Sequence, residues 1–378
     1  MLSRRNFLWS SGASLALSGF PVHGWTKELP RGRVAVIVLE GGMDGLAAVP
    51  PLGDTDLHQM RGELITSAPI ALNPFFGLHP SLGGFGRMLH NGEAAIVHAT
   101  AFPYTKRSHF EGQNVVQSGN MVPFASKSGW LGRALEFAGL PGRALSMDMP
   151  LISRGEADVD NYYPASIRGS TKPSASLTNL LSAYHSEQIS KVFDKVAAKN
   201  ALKEGPVARD SVSLAKYAGA KMALDEGPAA AVITLGEFDT HADQRADNGR
   251  HHRQLSKVDD ILLGFKTGLK DRWKDTVILT LTEFGRTVKV NGSTGTDHGY
   301  GSAGLLAGGL LKGGAVISQW PGLRKKDLFE GRDLQSSIDY RSVCAACLEK
   351  AYGLDHDLIA NNIFQSPRLP RFYNHLFV

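Results

Sequence analysis

The sequence has little cysteine, no long apolar run and no large excess of one charge. Its 378 residues include only 2 cysteines. No stretch after the N-terminal segment approaches the roughly 20 apolar residues that a membrane-spanning helix needs, so we expect no permanent membrane anchor. Because 41 basic residues stand against 36 acidic ones, the two signs are nearly balanced and a nucleic-acid partner is not indicated.

The two cysteines, Cys344 and Cys347, are spaced C-x-x-C. In an exported protein such a pair can form a disulfide or a redox centre. Val343, Leu348 and Tyr352 share the helical spacing of the two cysteines, however, and this pattern favours a buried helix face on which the thiols pack as small apolar groups.

The N-terminus has the features of an export signal. Ser3-Arg4-Arg5-Asn6-Phe7-Leu8 precedes a weakly apolar stretch from Trp9 to Phe20, which is a basic region followed by a short apolar one. We interpret residues 1–24 as a twin-arginine signal cleaved after Gly24; the alternative is a chance arginine pair. The expected partner is the twin-arginine export machinery, and the expected location is the periplasm or the exterior.

Four short apolar runs predict strands: Arg33–Leu39, Ala94–Thr100, Ala229–Leu235 and Thr276–Thr282. The runs are unbroken rather than alternating, which is typical of strands buried on both faces. Seven helical patterns lie between and after them: about Pro80–Leu89, His109–Gln117, Gly129–Ala138, Ala175–Ala201, Ser211–Leu224, Leu255–Trp273 and Ile338–Tyr352.

This alternation predicts an α/β fold with a mostly parallel central sheet and helices on both faces. Residues 25–378 are predicted to form a single domain with a helical insertion around 155–225, either a lid over the strand ends or plain packing. The sequence gives no indication of oligomeric state.

Residues that commonly bind metals follow the predicted strands. Asp44 lies in a Gly-rich loop after the first strand, Asp239 and His241 follow the third, and Asp297 and His298 come after the fourth. In parallel sheets ligands bind beyond the carboxyl ends of the strands, where such loops converge. Carboxylates together with imidazoles favour zinc or manganese over magnesium or calcium.

The second strand leads to Thr105-Lys106-Arg107-Ser108 and then to a helix. A hydroxyl and cations at a helix N-terminus suit a phosphate or sulfate group, with Ser108, or less favourably Thr105, as nucleophile and Arg107 holding the anion. The alternative is that Ser108 only caps the helix in a capping box with Glu111. Arg286, after the fourth strand, is a second candidate anion clamp or an exposed loop charge.

Several motifs occur in a characteristic order: SRRNFL, GGMDG, GLHPSL, PYTKRSHFEGQN, GWLGRALE, EFDTHADQ, TEFGRTVKVNGSTGTDHGYGSA and DYR. Through nearly the whole mature chain they resemble the exported bacterial family catalogued as domain of unknown function 1501. That family is similar to the alkaline phosphatase superfamily, which includes arylsulfatases, phosphodiesterases and cofactor-independent phosphoglycerate mutases.

The resemblance implies an alkaline phosphatase-like fold with one or two metal ions and Ser108 as nucleophile. One ion would be shared by Asp44, Asp297 and His298, and a second would be held by Asp239, His241 and a third ligand. For that ligand the candidates are His109, Glu283 and His356, because Tyr300 stands where the family often has histidine. Glu237-Phe238 also departs from the usual Gly-Trp.

The implied activity is hydrolysis or transfer of a small phosphate or sulfate ester, so Asp297→Asn or Ser108→Ala should abolish turnover. Mutase-like transfer fits the export signal poorly, because its substrates are cytoplasmic. The rival interpretation is a non-catalytic exported binding or assembly protein on the same fold, possibly with a structural metal.

Overall fold

The computed structural model of the chain describes residues 32–146, 148–161, 210–372 and 376–378. All of them belong to one compact unit, Arg31–Val378. The predicted signal segment 1–24 and the predicted helix Ala175–Ala201 lie outside the described residues. No helix within the described ranges combines the length and apolar character needed to cross a membrane.

The strands within the described ranges are β1 (Arg33–Leu39), β2 (Ile70–Ala71), β3 (Gly77–Leu78), β4 (Ala94–Ala101), β5 (Gly142–Leu145), β6 (Val159–Asn161), β7 (Ala230–Leu235), β8 (Thr276–Thr282), β9 (Ser302–Ala307), β10 (Val316–Ile317) and β11 (Ile338–Asp339). The four strands predicted from the apolar runs lie close to β1, β4, β7 and β8, and these seven further strands were not predicted.

The helices of the described residues are α1 (Gly45–Ala48), α2 (Leu57–Arg61), α3 (Gly83–His90), α4 (His109–Ser118), α5 (Trp130–Ala138), α6 (Ser211–Met222), α7 (Arg250–Leu269), α8 (Tyr340–Tyr352) and α9 (His356–Leu358). Short 3₁₀ turns are formed by Gly62–Leu64, Pro80–Leu82, Leu151–Ser153, Lys270–Asp275 and Lys325–Asp327, and a π turn by Ile359–Ile363. The predicted helices starting near Pro80 and ending near Trp273 therefore include 3₁₀ turns at those ends.

Nine strands form one sheet in the order β10-β4-β9-β8-β1-β7-β5-β6, with β11 also pairing with β4. All the strand pairs in this sheet are parallel except those of β9, which runs antiparallel to both β4 and β8. The α/β prediction with a mostly parallel sheet is confirmed.

The sheet is buried on both faces. Along β1, Val34, Val36 and Val38 pack into one apolar cluster, whereas Ile37 and Leu39 pack into another on the opposite face. Successive side chains of a strand point to opposite faces, so an unbroken apolar run is what a doubly covered strand requires.

The two cysteines lie on α8, which packs in the core. Cys344 and Cys347 are both buried and unbridged, in the same apolar cluster as Val343, Leu348 and Tyr352. The prediction that the C-x-x-C spacing marks a buried helix face is confirmed. Burial raises the pKa of both thiols.

Candidate metal centre

The polar residues singled out after the strands lie at one edge of the sheet. Parallel strands bring their carboxyl ends to the same edge, and antiparallel β9 begins there at Ser302. The segments that follow β1, β4, β7 and β8 therefore meet. Side chains from the segments after β4, β7 and β8 form a cluster around the carboxylate of Asp239.

Three imidazole rings surround Asp239. Its Oδ1 lies 3.1 Å from Nε2 of His241 and 3.3 Å from Nε2 of His298. Its Oδ2 lies 3.5 Å from Nε2 of His109. The Nε2 atoms of His241 and His298 are themselves 2.9 Å apart. The structure thus brings together Asp239 and His241 with His109, a candidate for their third ligand, and with His298, which the resemblance assigns to the other ion.

In His109 and His298 the second ring nitrogen, Nδ1, faces an oxygen acceptor. Nδ1 of His109 lies 2.7 Å from Oε1 of Glu283, a buried carboxylate that also accepts from the backbone N–H of Gly41 at 2.8 Å. Nδ1 of His298 lies 2.8 Å from the backbone oxygen of Arg107. The hydrogen bond to Glu283 raises the pKa of His109, whereas burial lowers that of His298.

Nδ1 of His241 also faces an oxygen acceptor. Its Nδ1 lies 3.0 Å from Oδ1 of Asp297, and Nδ2 of Asn291 donates to that oxygen at 3.1 Å. The hydrogen bonds from Asn291 and His241 lower the pKa of Asp297, so this carboxylate is an acceptor at neutral pH. Asp297 therefore contacts the outer nitrogen of a cluster histidine instead of standing among the Nε2 atoms.

These contacts determine which ring nitrogens carry hydrogen. Ionised carboxylates and the peptide oxygen of Arg107 can only accept, so each of the three rings donates from Nδ1. In a neutral ring Nε2 is then a lone pair, and in an imidazolium ring it is a second N–H that faces the carboxylate of Asp239. When both rings are neutral, lone pairs on His241 and His298 face each other at 2.9 Å. Such an arrangement is repulsive unless a proton or a metal ion lies between them.

Ligand atoms of His109, Asp239 and His298 all lie within 4.8 Å of one another, and the contacts of His241 with Asp239 and His298 have the spacing expected around one tetrahedral ion. With bonds of about 2.0 to 2.1 Å, tetrahedral ligand atoms are about 3.3 Å apart, and the contacts around Asp239 range from 2.9 to 3.5 Å. Nε2 of His109 is buried and has no hydrogen-bond partner within the described ranges. Histidines that donate Nδ1–H to a carboxylate or peptide oxygen while Nε2 faces the ion are usual at metal centres. The residues present therefore fit a bound metal.

In a second group of possible ligands, His79 has no ring nitrogen left for a metal. Ligand atoms of His79, Asp247 and His252 also lie within 4.8 Å of one another. However, Nε2 of His79 lies 2.8 Å from the oxygen of Ala246, and its Nδ1 accepts from the N–H of Ser81 at 3.2 Å. Both nitrogens of His79 are thus used within the protein, and we assign no metal to this group.

Asp44 is not brought into the cluster. Its Oδ1 accepts from Nη1 of Arg61 at 2.7 Å and from the N–H of Ala47 at 3.1 Å, while its Oδ2 accepts from Nε2 of Gln244 at 2.6 Å. The residue is 1% exposed. Burial alone would raise the pKa of Asp44, but the charge and hydrogen bond of Arg61 outweigh it and the pKa falls to about 2. Asp44 caps α1 and pairs with an arginine.

The side chain of Arg286 is buried and connects several loops by hydrogen bonds. Its position is therefore neither that of a free anion clamp nor that of an exposed loop charge. Its guanidinium donates to backbone oxygens in three separate segments and to Oδ1 of Asp239 at 2.5 Å. The backbone acceptors are the oxygens of Gly41, Gly42, Phe238 and Thr296. Although partial burial raises the pKa of Asp239, Arg286 more than compensates and the pKa is lowered.

Arg107 and Ser108 lie just before α4. Arg107 pairs with Asp333 and Glu330 at 2.6 Å each, so its guanidinium points to carboxylates of the protein. Ser108 is the N-cap residue of α4 but makes no side-chain capping bond, and Glu111 accepts instead from the hydroxyl of Tyr104 at 2.9 Å. The capping box does not form, and the Ser108 hydroxyl is not committed to it.

The three candidates for the third metal ligand lie in different positions relative to the cluster. His109 joins the Nε2 cluster and Glu283 orients it from outside. His356 is engaged elsewhere, with Glu349 and the oxygen of Leu369. The sequence signal for His109 was its place one residue after Ser108, at the start of the helix.

Comparison with known families agrees with the motifs. The model of the family described as "Protein of unknown function (DUF1501)" matches residues 99–363, well over half of the chain. The chain belongs to this family. The DUF1501 match includes every member of the cluster: His109, Asp239, His241 and His298. The resemblance inferred from the sequence motifs is thereby confirmed. No curated protein matches the sequence.

Among solved structures, the DUF1501 chain is similar to three proteins at low identity. The C-terminal periplasmic domain of EcEptC from Escherichia coli, in complex with Zn, is 10% identical, with a TM-score of 0.37, over 73% of each chain. The lipoteichoic acid synthase LtaP from Listeria monocytogenes is 11% identical, with a TM-score of 0.39, over 85% of this chain and 77% of that one. Phosphonoacetate hydrolase from Sinorhizobium meliloti is 11% identical, with a TM-score of 0.32, over 68% and 57%.

Proposed function

We propose that this protein is an exported, metal-dependent hydrolase of small phosphate or sulfate esters, with Ser108 as nucleophile. The observation that carries the proposal is the convergence of three Nε2 atoms on the carboxylate of Asp239. Zinc or manganese suits this donor set of imidazoles and one carboxylate. The twin-arginine motif supports export to the periplasm or beyond.

A bound divalent ion would supply Lewis acidity and lower the pKa of a nearby hydroxyl. The chain's own residues supply position and charge. Ser108 directly precedes His109, and its hydroxyl is not used as a helix cap. Backbone N–H groups in the first turn of α4 favour an anionic group beside that hydroxyl. Ser108 would attack the phosphorus or sulfur atom and the ester oxygen would leave as the alcohol, while these donors hold the remaining oxygens; water would then release phosphate or sulfate from Ser108.

One observation favours a second candidate, a binding or assembly protein that uses the metal structurally. Both arginines expected to clamp the anion are paired within the protein, Arg107 with Asp333 and Glu330, and Arg286 with Asp239. A phosphoryl or sulfuryl group would then depend on the ion and on α4 for its charge compensation.

The test is turnover of aryl phosphates, phosphodiesters and sulfates by the purified mature chain loaded with zinc or manganese. Ser108→Ala should reduce turnover to background while metal content stays unchanged. Thr105→Ala is the matched control, because Thr105 is an exposed hydroxyl three residues away, and it should keep wild-type turnover. Wild-type rates in Ser108→Ala reject the nucleophile, and a metal-loaded chain that cleaves none of these esters favours the binding protein.

A further inference from the structure

We infer that the site binds one divalent ion per chain, and that the guanidinium of Arg286 supplies, next to Asp239, the positive charge that a second ion would bring. The inference rests on the proposed function, because it takes the Asp239 cluster to be a metal centre. It departs from the two-ion arrangement that the family resemblance implies.

The first step is the position of Asp44. Of the two ions that the resemblance implies, one requires Asp44 together with Asp297 and His298. The three contacts to the carboxylate of Asp44 come from Arg61, Ala47 and Gln244, all within the protein. A divalent ion at Asp44 would have to displace Arg61, whose guanidinium is fully buried and holds the backbone oxygens of Thr287 and Val288 as well.

The second step is the use of the remaining ligands. His298 already faces Asp239 through Nε2, at 3.3 Å. Oδ1 of Asp297 accepts from His241 and Asn291. Glu283 accepts from His109 and Gly41. Asp239 is therefore the one carboxylate among these that stands between the Nε2 atoms. With His109 and His298 it forms one group of mutually close ligand atoms, and His241, 2.9 Å from Nε2 of His298, would be the fourth ligand of the same ion.

The third step is the position of Arg286. Its acceptors are all oxygens: the backbone oxygens of Gly41, Gly42, Phe238 and Thr296, and Oδ1 of Asp239. A set of backbone carbonyls and a carboxylate is the environment that a hard cation selects. Here a guanidinium occupies it, fully buried, and its fixed charge disfavours a divalent ion at the same place.

The deciding experiment is a calorimetric titration of zinc into the metal-stripped mature chain, with elemental analysis of the product. One zinc per chain supports the inference. Two zinc ions per chain overturn it and leave the proposed metal centre standing. A well-folded chain that binds no zinc overturns the proposed centre itself, so the two failures are distinguishable.

Matched carboxylate variants test which aspartate binds the ion. Asp239→Asn should weaken zinc binding by more than about a hundredfold, beyond the cost of losing an outer hydrogen bond. Asp44→Asn should bind one zinc within about twofold of the wild-type affinity when titrated at a temperature where it is folded. A loss of zinc in Asp44→Asn comparable to that in Asp239→Asn overturns the inference, and the wild-type titration decides the stoichiometry if this variant does not fold.

The role of Arg286 is tested by its charge. Arg286→Lys keeps a cation and should keep one zinc per chain, whereas Arg286→Gln removes the charge and should bind zinc more tightly or take a second ion. A folded Arg286→Gln chain with a single, weaker zinc shows that Arg286 acts only as a connector. If Arg286→Gln does not fold, binding of a second zinc by Arg286→Lys is the contradictory result.

Discussion

Removing the carboxylate that accepts a hydrogen bond from Nδ1 of a cluster histidine should weaken metal binding. The size of the effect should depend on how deeply that carboxylate is buried. Outer-shell partners of metal-bound histidines contribute about 10- to 100-fold in affinity, equivalent to about 1.4 to 2.7 kcal/mol. Asp297 is 53% exposed at its side chain and Glu283 is fully buried. Water can replace the Asp297 carboxylate as acceptor for His241 but cannot reach the place of Glu283.

We therefore expect Asp297→Ala to weaken zinc binding about 10-fold and Glu283→Ala about 100-fold. Competition with a chromogenic chelator measures both affinities. Asp243→Ala is the control, because Asp243 is an exposed carboxylate two residues after His241, paired with Arg245, and its loss should change nothing. Complete loss of zinc in Asp297→Ala would show that Asp297 is a ligand, as the resemblance implies; unchanged affinity in both variants would refute the orienting role.

Three further predictions concern the surroundings of the site. The pKa of Asp44 is about 2 in the folded chain against 3.8 ordinarily. Ionised Asp44 therefore contributes about 2 kcal/mol to the free energy of unfolding above pH about 4, and this contribution is lost as the pH falls toward 2. Urea unfolding across this range should show a decrease in the free energy of unfolding that Asp44→Asn lacks. Gly41→Ala should lower both stability and zinc affinity, measured by thermal melting and chelator competition, because Gly41 has φ +114 and a Cβ would lie 2.4 Å from the nitrogen of Asp239; unaltered zinc affinity would contradict this. Cys344 and Cys347 should resist a thiol reagent until the chain unfolds, and rapid labelling of the native protein would be the contrary result.

Much of the fold was predictable because burial on both faces leaves a clear signal. The runs at Arg33–Leu39 and Thr276–Thr282 coincide with β1 and β8. Antiparallel β9 was missed, since Ser302–Ala307 is short and rich in small residues. Its place between β4 and β8 depends on pairing that no local pattern encodes.

The site was predictable in part, for a related reason. The rule that ligands lie beyond strand ends selected Asp239, His241 and His298. It also selected Asp44, because the rule identifies a loop but not the partner of each side chain. Arg61, the partner of Asp44, lies 17 residues further along the chain. It is on α2, a helix with no metal-type motif. Likewise Arg286 was read as surface or substrate-facing, since burial of an arginine by carbonyls from other loops leaves no local sequence pattern.

The central claim is that Nε2 of His109, His241 and His298, together with Asp239, binds one metal ion while each Nδ1 keeps its hydrogen. The most direct measurement is NMR of the protein with isotope-labelled histidine and cadmium in place of zinc, in which coupling through the metal–nitrogen bond identifies the bound atom. The account predicts coupling to the Nε2 atoms of these three histidines and a hydrogen on each Nδ1. Coupling to Nδ1, or to histidines outside this cluster, would contradict it.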